Sequence, residues 1–471
     1  MSLDPILDLP LFALSNHPED VFTVREACEG IQIFGGIGSG KSSGSGKTIA
    51  KAFLNAGFGG LVLCAKKDER ATWEAYAAET GRSQHLYIFD ASGQHAFNFL
   101  NYEMRRPGAG AGLSDNVVRL FISLLEMVDR AKASGGEDQY WMRATRQLIR
   151  NAVDLCAIAT GEVSLPTLYD IVMSAPYSAD LVFDETWQQA SLCYRLIARG
   201  ESIEKDQWTE LDFAATARYW LNEFPQLAER TRSIIVSMFT SMAENFLRRP
   251  FRQLFCSKTT IIPELSHKGG IIVMDLPVKE WGEAGRSAQV MFKYIWQQAV
   301  ERRGIEEKPL PLFLWVDESQ NFVTDYDMQF QATARSSRAC TVYLTQNFPN
   351  YYAEFGGQKG KYRADSLVGN LQTKIFHANS DPETNKFAAE TIGKSWQVRQ
   401  GQSTSTGFMG ATIGRSSQES FDYDAPPQEF TKLRKGGPHN NLEVEAVVFQ
   451  NGRVWEANGR TFLKAVFRQD V

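Results

Sequence analysis

Short uninterrupted apolar runs alternate with amphipathic stretches near the start of this chain. Ile31–Phe34 is the first run, and it leads directly into a glycine-rich segment. The residues after that segment predict a helix over Ser42–Ala56, stopped by Gly57. Gly60–Ala65 is a second apolar run, and it ends in Lys66-Lys67-Asp68-Glu69. A helix is expected over about Glu69–Thr80 and a strand over His85–Asp90. Strands without an alternating polar face need cover on both sides. Their alternation with helices predicts an α/β fold on a mainly parallel sheet.

The pattern changes after Arg105–Gly112, RRPGAGAG, which reads as a loop or hinge. From Ser114 to about Ser257 the apolar spacing is helical. Leu120, Leu124, Leu125 and Val128 recur in this way, as do Trp141, Leu148, Ala152 and Leu155, then Ile234, Met238, Met242 and Phe246. Strand-like runs return at Gly270–Pro277, Leu312–Val316, Cys340–Thr345 and Thr373–His377. Helices are expected at about Ala284–Arg303, up to Arg335, and at Pro382–Gly393. Gln400–Ser417 is rich in Gly, Ser and Thr and is expected to be a loop. In the tail, Leu442–Phe449 and Gly452–Ala457 flank Gln450-Asn451-Gly452 and predict a hairpin. The organisation expected is an extension over 1–30, a sheet domain split between 31–113 and 258–471, and an all-α domain inserted at 114–257.

The 471-residue chain is 43% hydrophobic and 22% charged, as in globular proteins. Its length suits about two to three domains. The net charge is −5, so a nucleic-acid partner would have to meet a local basic patch. Arg248-Arg249 with Arg252, Arg302-Arg303 and Arg434-Lys435 are such clusters. Most short clusters are solvated faces. The first lies beside Phe246, Phe251 and Phe255, which would suit a phosphate-contacting loop. Six scattered cysteines with no C-x-x-C pair point to a reduced, cytoplasmic protein without structural zinc. Prolines and aspartates break the N-terminal apolar run, and no later stretch reaches ~18 apolar residues, so no direct membrane span is expected.

Gly35–Ser42, GGIGSGKS, fits the phosphate-binding pattern G-x-x-x-x-G-K-[ST] directly after a strand. The backbone N–H groups of Gly35, Gly36, Ile37, Gly38, Ser39 and Gly40, with the helix N-terminus, would wrap an anion. Lys41 would meet the β- and γ-phosphates, and Ser42 would offer its hydroxyl to Mg²⁺. A flexible linker shares the composition but not the strand in front. A second GSGK ends at Lys47-Thr48. It has lysine where the pattern needs glycine at position 41, and it would leave barely two turns of helix. Lys47 and Thr48 are therefore assigned to the helix. Gly44 and Gly46 within that helix cost about 1 kcal/mol each against alanine, for no reason visible in the sequence.

LFLWVDES at Leu312–Ser319 ends an apolar run in two carboxylates. Asp317 would hold Mg²⁺ and Glu318 would orient the attacking water. Two acids at a dry strand end need a compensating cation. Gln346 ends the following run, where a polar residue would sense the γ-phosphate. Arg335 and Arg338 are either surface helix-end arginines or a finger reaching across a subunit boundary. The residues alone do not separate these.

In order and extent these residues resemble the type IV secretion coupling-protein ATPases, the TraG/TraD-type conjugation ATPases. The resemblance runs from about Gly35 to Phe467. It is carried by GGIGSGKS and AGFGGLVLCAKKDE, by AFNFLN at Ala96–Asn101, and by DQYWMRATRQLI at Asp138–Ile149. LWVDES, ARSSRACTVYLTQNFPNYYAEFG, DPETNKFAAETIG at Asp381–Gly393 and PPQEFTKLRKGG…VVFQNGRVW continue it. It implies a RecA-like P-loop ATPase domain interrupted by an all-α domain. It also implies a homo-hexamer that hydrolyses ATP with Mg²⁺ to drive DNA or a relaxase–DNA complex toward a secretion channel. Lys41 and Ser42 would bind phosphate and Mg²⁺, Asp317 and Glu318 would serve metal and water, and Gln346 would be the sensor. The resemblance favours Arg335 as the finger in trans. Members of that family usually begin with membrane-spanning helices, and this sequence shows none. A membrane-anchored secretion component would then hold the protein at the inner membrane. The alternatives are a soluble relative serving a mobile element or defence, and a nucleotide-dependent adaptor that recruits protein through the all-α domain.

Overall fold

Successive residues along each central strand pack into different cores. Leu312, Leu314 and Val316 enter one, and Phe313 and Trp315 enter the other. Ile272 and Met274 are split from Ile271 and Val273 in the same way. This is the period-two geometry of a strand covered on both faces, and it explains the unbroken apolar runs. The computed structural model describes residues 6–128, 136–304, 309–356, 359–407 and 410–470, with the side chains of 126–139 and 399–416 outside the described set.

The strands, in chain order, are β1 (Pro10–Ala13), β2 (Val21–Thr23), β3 (Ile31–Phe34), β4 (Gly59–Leu63), β5 (Leu86–Asp90), β6 (Ile271–Asp275) and β7 (Leu312–Val316). They continue with β8 (Ala339–Thr345), β9 (Thr373–His377), β10 (Lys394–Gly407), β11 (Gly410–Tyr423), β12 (Glu443–Gln450) and β13 (Phe462–Arg468). Among the described residues a nine-stranded sheet runs β13-β12-β9-β3-β8-β7-β4-β6-β5. From β9 to β5 every pairing is parallel, whereas β12 is antiparallel to both β9 and β13. The fold is therefore the expected α/β, RecA-like architecture with a mainly parallel sheet.

One face is covered by the helices Lys47–Asn55 and Glu69–Glu79 and by the N-terminal hairpin β1–β2, which contributes Leu14 and Phe22. The other carries the helix Val278–Glu301 and the helical stretch. Every regular element described between Ser114 and Phe255 is helical. These helices share the sheet's core. Phe97 packs on Phe292 at 5.0 Å, and Phe99 packs on Phe121 at 6.1 Å and on Phe246 at 5.6 Å. Leu120, Leu124, Leu125, Leu148, Ala152 and Leu155 are buried as expected, whereas the side chain of Val128 lies outside the described set. In the helix Glu229–Leu247 the buried face is Ile235, Phe239, Met242 and Phe246, so Ile234 and Met238 sit at its margin. Among the described residues no single helix is long and apolar enough to cross a membrane. The pair Tyr140–Thr160 and Leu165–Met173 passes that test only together, bent by 113°.

Two expectations are corrected. Gln400–Ser417 is not a loop: its described residues lie in β10 and β11, fourteen residues each, paired antiparallel along their whole length. Among the described residues these strands pair with each other and with no strand of the nine-stranded sheet. A backbone ladder needs no apolar pattern to close, and Ser, Thr and Gln tolerate it. The tail hairpin also differs. The partner of β12 begins at Phe462, opposite Phe449, and not at Gly452. The intervening chain dips inward because Trp455 is fully buried, with Arg453 stacked on its ring at 4.0 Å.

Candidate active site

β3, β8, β7 and β4 lie side by side and point the same way, so their carboxyl ends share one rim of the sheet. Ligands of open α/β sheets bind outside such a rim. β3 runs into the loop Gly35–Lys41, β8 into Gln346, β7 into Asp317 and Glu318, and β4 into Lys66 just beyond Ala65.

The loop is pinned between strand ends. The Gly35 N–H donates to the Thr345 carbonyl at 3.3 Å and the Gly36 N–H to the Ala378 carbonyl at 2.9 Å. Ile37 and Gly38 are exposed at its tip, whereas Ser39 is buried and its Oγ has no hydrogen-bond partner among the described residues. The chain then turns into helix at Ser42, as expected, through a wide first turn in which the Gly46 N–H donates to the Lys41 carbonyl at 2.9 Å. Regular helix follows over Lys47–Asn55. A Cβ at Gly46 would lie 2.8 Å from the Lys41 carbonyl oxygen, and one at Gly44 would lie 3.2 Å from Val444 of β12. Close packing is thus the reason for both glycines. Lys47 turns away to the Gln469 carbonyl at 3.1 Å, so the second GSGK belongs to the helix.

The acidic strand end meets this loop. Ser42 Oγ donates to Asp317 Oδ2 at 2.8 Å, and Asp317 Oδ1 accepts from the Glu318 N–H at 2.8 Å. A hydroxyl beside a carboxylate suits Mg²⁺, which takes one or two carboxylates together with substrate phosphates. Among the described residues no group of three or more His, Cys, Asp or Glu could hold a metal, so this pair offers a shared site and not a protein cage.

Glu318 is held in the left-handed region, φ 46° and ψ 47°. For a non-glycine residue that conformation costs about 1–3 kcal/mol. A buried chain of hydrogen bonds holds the turn. Ser319 Oγ donates to the Leu344 carbonyl at 3.0 Å and lies 2.6 Å from Tyr351 OH, which donates to Gln32 of β3 at 2.9 Å. The Glu318 carboxylate faces the rim. Its Oε1 accepts from Lys66 at 2.8 Å and from Gln346 at 3.2 Å, with Lys41 at 3.8 Å. Its Oε2 accepts from Gln320 at 3.0 Å. Burial opposes the charge, but hydrogen bonds from Gln320 and Lys66 and the charges of Lys41 and Lys66 outweigh it and bring the carboxyl down to about 2. Glu69, beside Lys66, moves the other way: burial, then the charge of Asp317, pushes it well above the usual carboxylate range.

Lys41, Ser42, Asp317, Glu318 and Gln346 therefore meet in one cluster. Arg335 does not join it. It lies before the amino end of β8, is more than half exposed, and pairs with Glu29 at 3.1 Å. The seven residues of β8, at about 3.3 Å each, put roughly 20 Å of strand between it and the site. Arg338 is buried at φ 50° and donates to the Pro309 carbonyl at 2.7 Å, so it shapes the turn into β8 and cannot project. Of the basic clusters, Arg303 donates to the Leu310 and Ser337 carbonyls, and Arg434 pairs with Glu443 and Glu445. Phe246, Phe251 and Phe255 are buried and offer no stacking surface beside Arg248. Sequence reasoning missed Lys66 and Gln320. A charged residue just past an apolar strand was the available signal for the first.

Residues 311–433 match the family model described as the TraM recognition site of TraD and TraG. No curated protein matches the chain. Among solved structures it is similar to an unbound form of the bacterial conjugative coupling protein TrwBdeltaN70, at TM-score 0.61 and 16% identity, over 95% of this chain and 86% of that one. It is also similar to the plasmid coupling protein TrwB in complex with the ATP analogue ADPNP, at TM-score 0.58 and 15% identity over 96% and 89%. TrwB in complex with ADP and Mg²⁺ gives TM-score 0.58 and 14% identity over 95% and 86%. At such identity the likeness establishes the fold.

Proposed function

We propose that this chain, tied to the type IV coupling proteins by the match over residues 311–433 and by its fold, is an ATP hydrolase working as a homo-hexameric motor on DNA or a relaxase–DNA complex. The observation that carries the reading is the meeting of Lys41, Ser42, Asp317, Glu318 and Gln346 at the rim of four adjacent parallel strands. Loop amides and Lys41 bind the phosphates, Gln346 reads the γ-phosphate, and Glu318 polarises the attacking water. Ser42 and Asp317 would hold Mg²⁺, which supplies charge neutralisation at the phosphates. Arg335, remote from its own site and exposed, serves the nucleotide of a neighbouring subunit. The helices of 114–257 form the substrate-facing cap on a motor domain made of 31–113 and 258–471. Residues 311–433 also offer a partner-docking stretch, since the matching region of TraD and TraG is described as a TraM recognition site. A membrane-anchored secretion component is a further partner in this reading. The net charge of −5 confines DNA to a ring lumen lined by a few cations.

Phosphate release by the full chain, with and without DNA, tests this reading. Turnover is expected to rise with DNA and to vanish in Lys41→Ala. An assembled preparation that hydrolyses ATP but responds to neither single- nor double-stranded DNA would remove the DNA motor and leave the hydrolase.

A further inference from the structure

The strand beside the acidic one brings a second lysine to the rim. Lys66 Nζ lies 2.8 Å from Glu318 Oε1, against 3.8 Å for Lys41. With Gln346 on the same oxygen and Gln320 on the other, three protein donors take most of the acceptor sites of the carboxylate. A general base needs the water within hydrogen-bond reach, so the conformation seen is a held one. A triphosphate would draw Lys41 and Gln346 to itself. Lys66 on Oε1 and Gln320 on Oε2 are then the donors left on Glu318, and Lys66 is the charged one. Its side chain is about one-third exposed, which leaves it room to move. A second acceptor lies close by: Glu69 follows on the same segment, and its buried Oε1 has no hydrogen-bond partner among the described residues.

We propose that Lys66 is a positioning residue that restrains Glu318, tying the end of β4 to the end of β7 until nucleotide binds. The release that follows is a transfer of the ammonium from Glu318 to Glu69, with no bond made or broken beyond hydrogen bonds. This rests on the nucleotide site proposed above.

Hydrogen exchange on the full chain tests it without reference to turnover. Loss of one charge-assisted hydrogen bond in nucleotide-free Lys66→Ala is expected to speed exchange of the segment 317–323 about tenfold, and Lys66→Arg is expected to stay near wild type. A non-hydrolysable ATP analogue with Mg²⁺ should speed the same segment in wild type and leave Lys66→Ala unchanged. In turnover, Lys66→Ala should lower KM, because nucleotide no longer has to break the Lys66–Glu318 contact. Equal exchange in nucleotide-free wild type and Lys66→Ala would overturn the restraint. So would a kcat that falls to the level of Glu318→Gln, because Lys66 would then assist catalysis. If the analogue binds neither protein, the nucleotide reading fails, while the nucleotide-free comparison still decides whether Lys66 holds Glu318.

Discussion

At position 46 one methyl group would sit 2.8 Å from the carbonyl of Lys41, the residue proposed to meet the phosphates. That contact is with backbone and cannot relax by side-chain rotation. Gly46→Ala is expected to cost about 1–3 kcal/mol in urea unfolding and to weaken nucleotide binding. The atoms nearest a Cβ at Gly44 all belong to the side chain of Val444, so Val444→Ala should recover Gly44→Ala and leave Gly46→Ala unrescued in a double-mutant cycle. Two histidines set a pH dependence. Burial brings His377 down to about 3 and His267 to about 4. An unfolded histidine titrates near ~6.5, so below that pH the unfolded chain takes up protons the folded chain refuses. Stability should therefore fall from pH 6.5 toward 4, by up to about 1.4 kcal/mol per pH unit for each histidine. Glu318 acts lower: its stabilising share is complete above the unfolded value of about 4.3 and is lost as pH falls through about 2. Urea midpoints at pH 6.5 and 5 should differ less in His377→Gln than in wild type; an unchanged difference would count against burial as the cause. The meeting of Lys41, Ser42, Asp317, Glu318 and Gln346 was legible because each stands at or shortly after the end of an apolar strand. Lys66 stands in such a place too. Its meaning depends on β4 lying next to β7, a neighbour relation that joins residues 252 positions apart.

The central strands β3, β4, β6, β7 and β8 were readable because each is covered on both faces and so is mostly apolar, whereas the outer strand β13 alternates buried and exposed residues. The arm β10–β11 was not, because its strands satisfy each other through backbone and need no core. Trp396 and Phe421 meet on it at 5.5 Å with their rings tilted by 52°, while staying 70% and 55% exposed, which removes the burial that would have marked them. An element that pairs with itself alone contributes little to the rest. Replacing 396–421 by a short Asn-Gly turn is expected to lower Tm by less than about 2 °C. Collapse of the fold on that deletion would mean the arm supports the domain. The β12–β13 connection misled for the opposite reason. Asn451-Gly452 carries a tight-turn signal, but burial of Trp455 takes the chain on a longer path.

At the scale of the molecule, the parallel sheet puts the phosphate loop and Arg335 at opposite rims. The α/β class and the helical run from Ser114 were legible from periodicity alone. A role for Arg335 was not, since the group it would serve belongs to another copy. If it acts in trans, Arg335→Ala should bind nucleotide as wild type does and still turn over slowly. Mixing Arg335→Ala with Lys41→Ala should then restore part of the activity, because some interfaces pair an intact loop with an intact arginine. Additive, unrestored activities would place Arg335 in a surface ion pair with Glu29. The proposed hydrolytic site is tested most directly by measuring ATP affinity and phosphate release together in wild type, Lys41→Ala and Glu318→Gln. Glu318→Gln should keep wild-type affinity while kcat falls by about 10²–10⁴, and Lys41→Ala should lose both. Full turnover in Glu318→Gln, or unchanged ATP binding in Lys41→Ala, would contradict a hydrolase built on this rim.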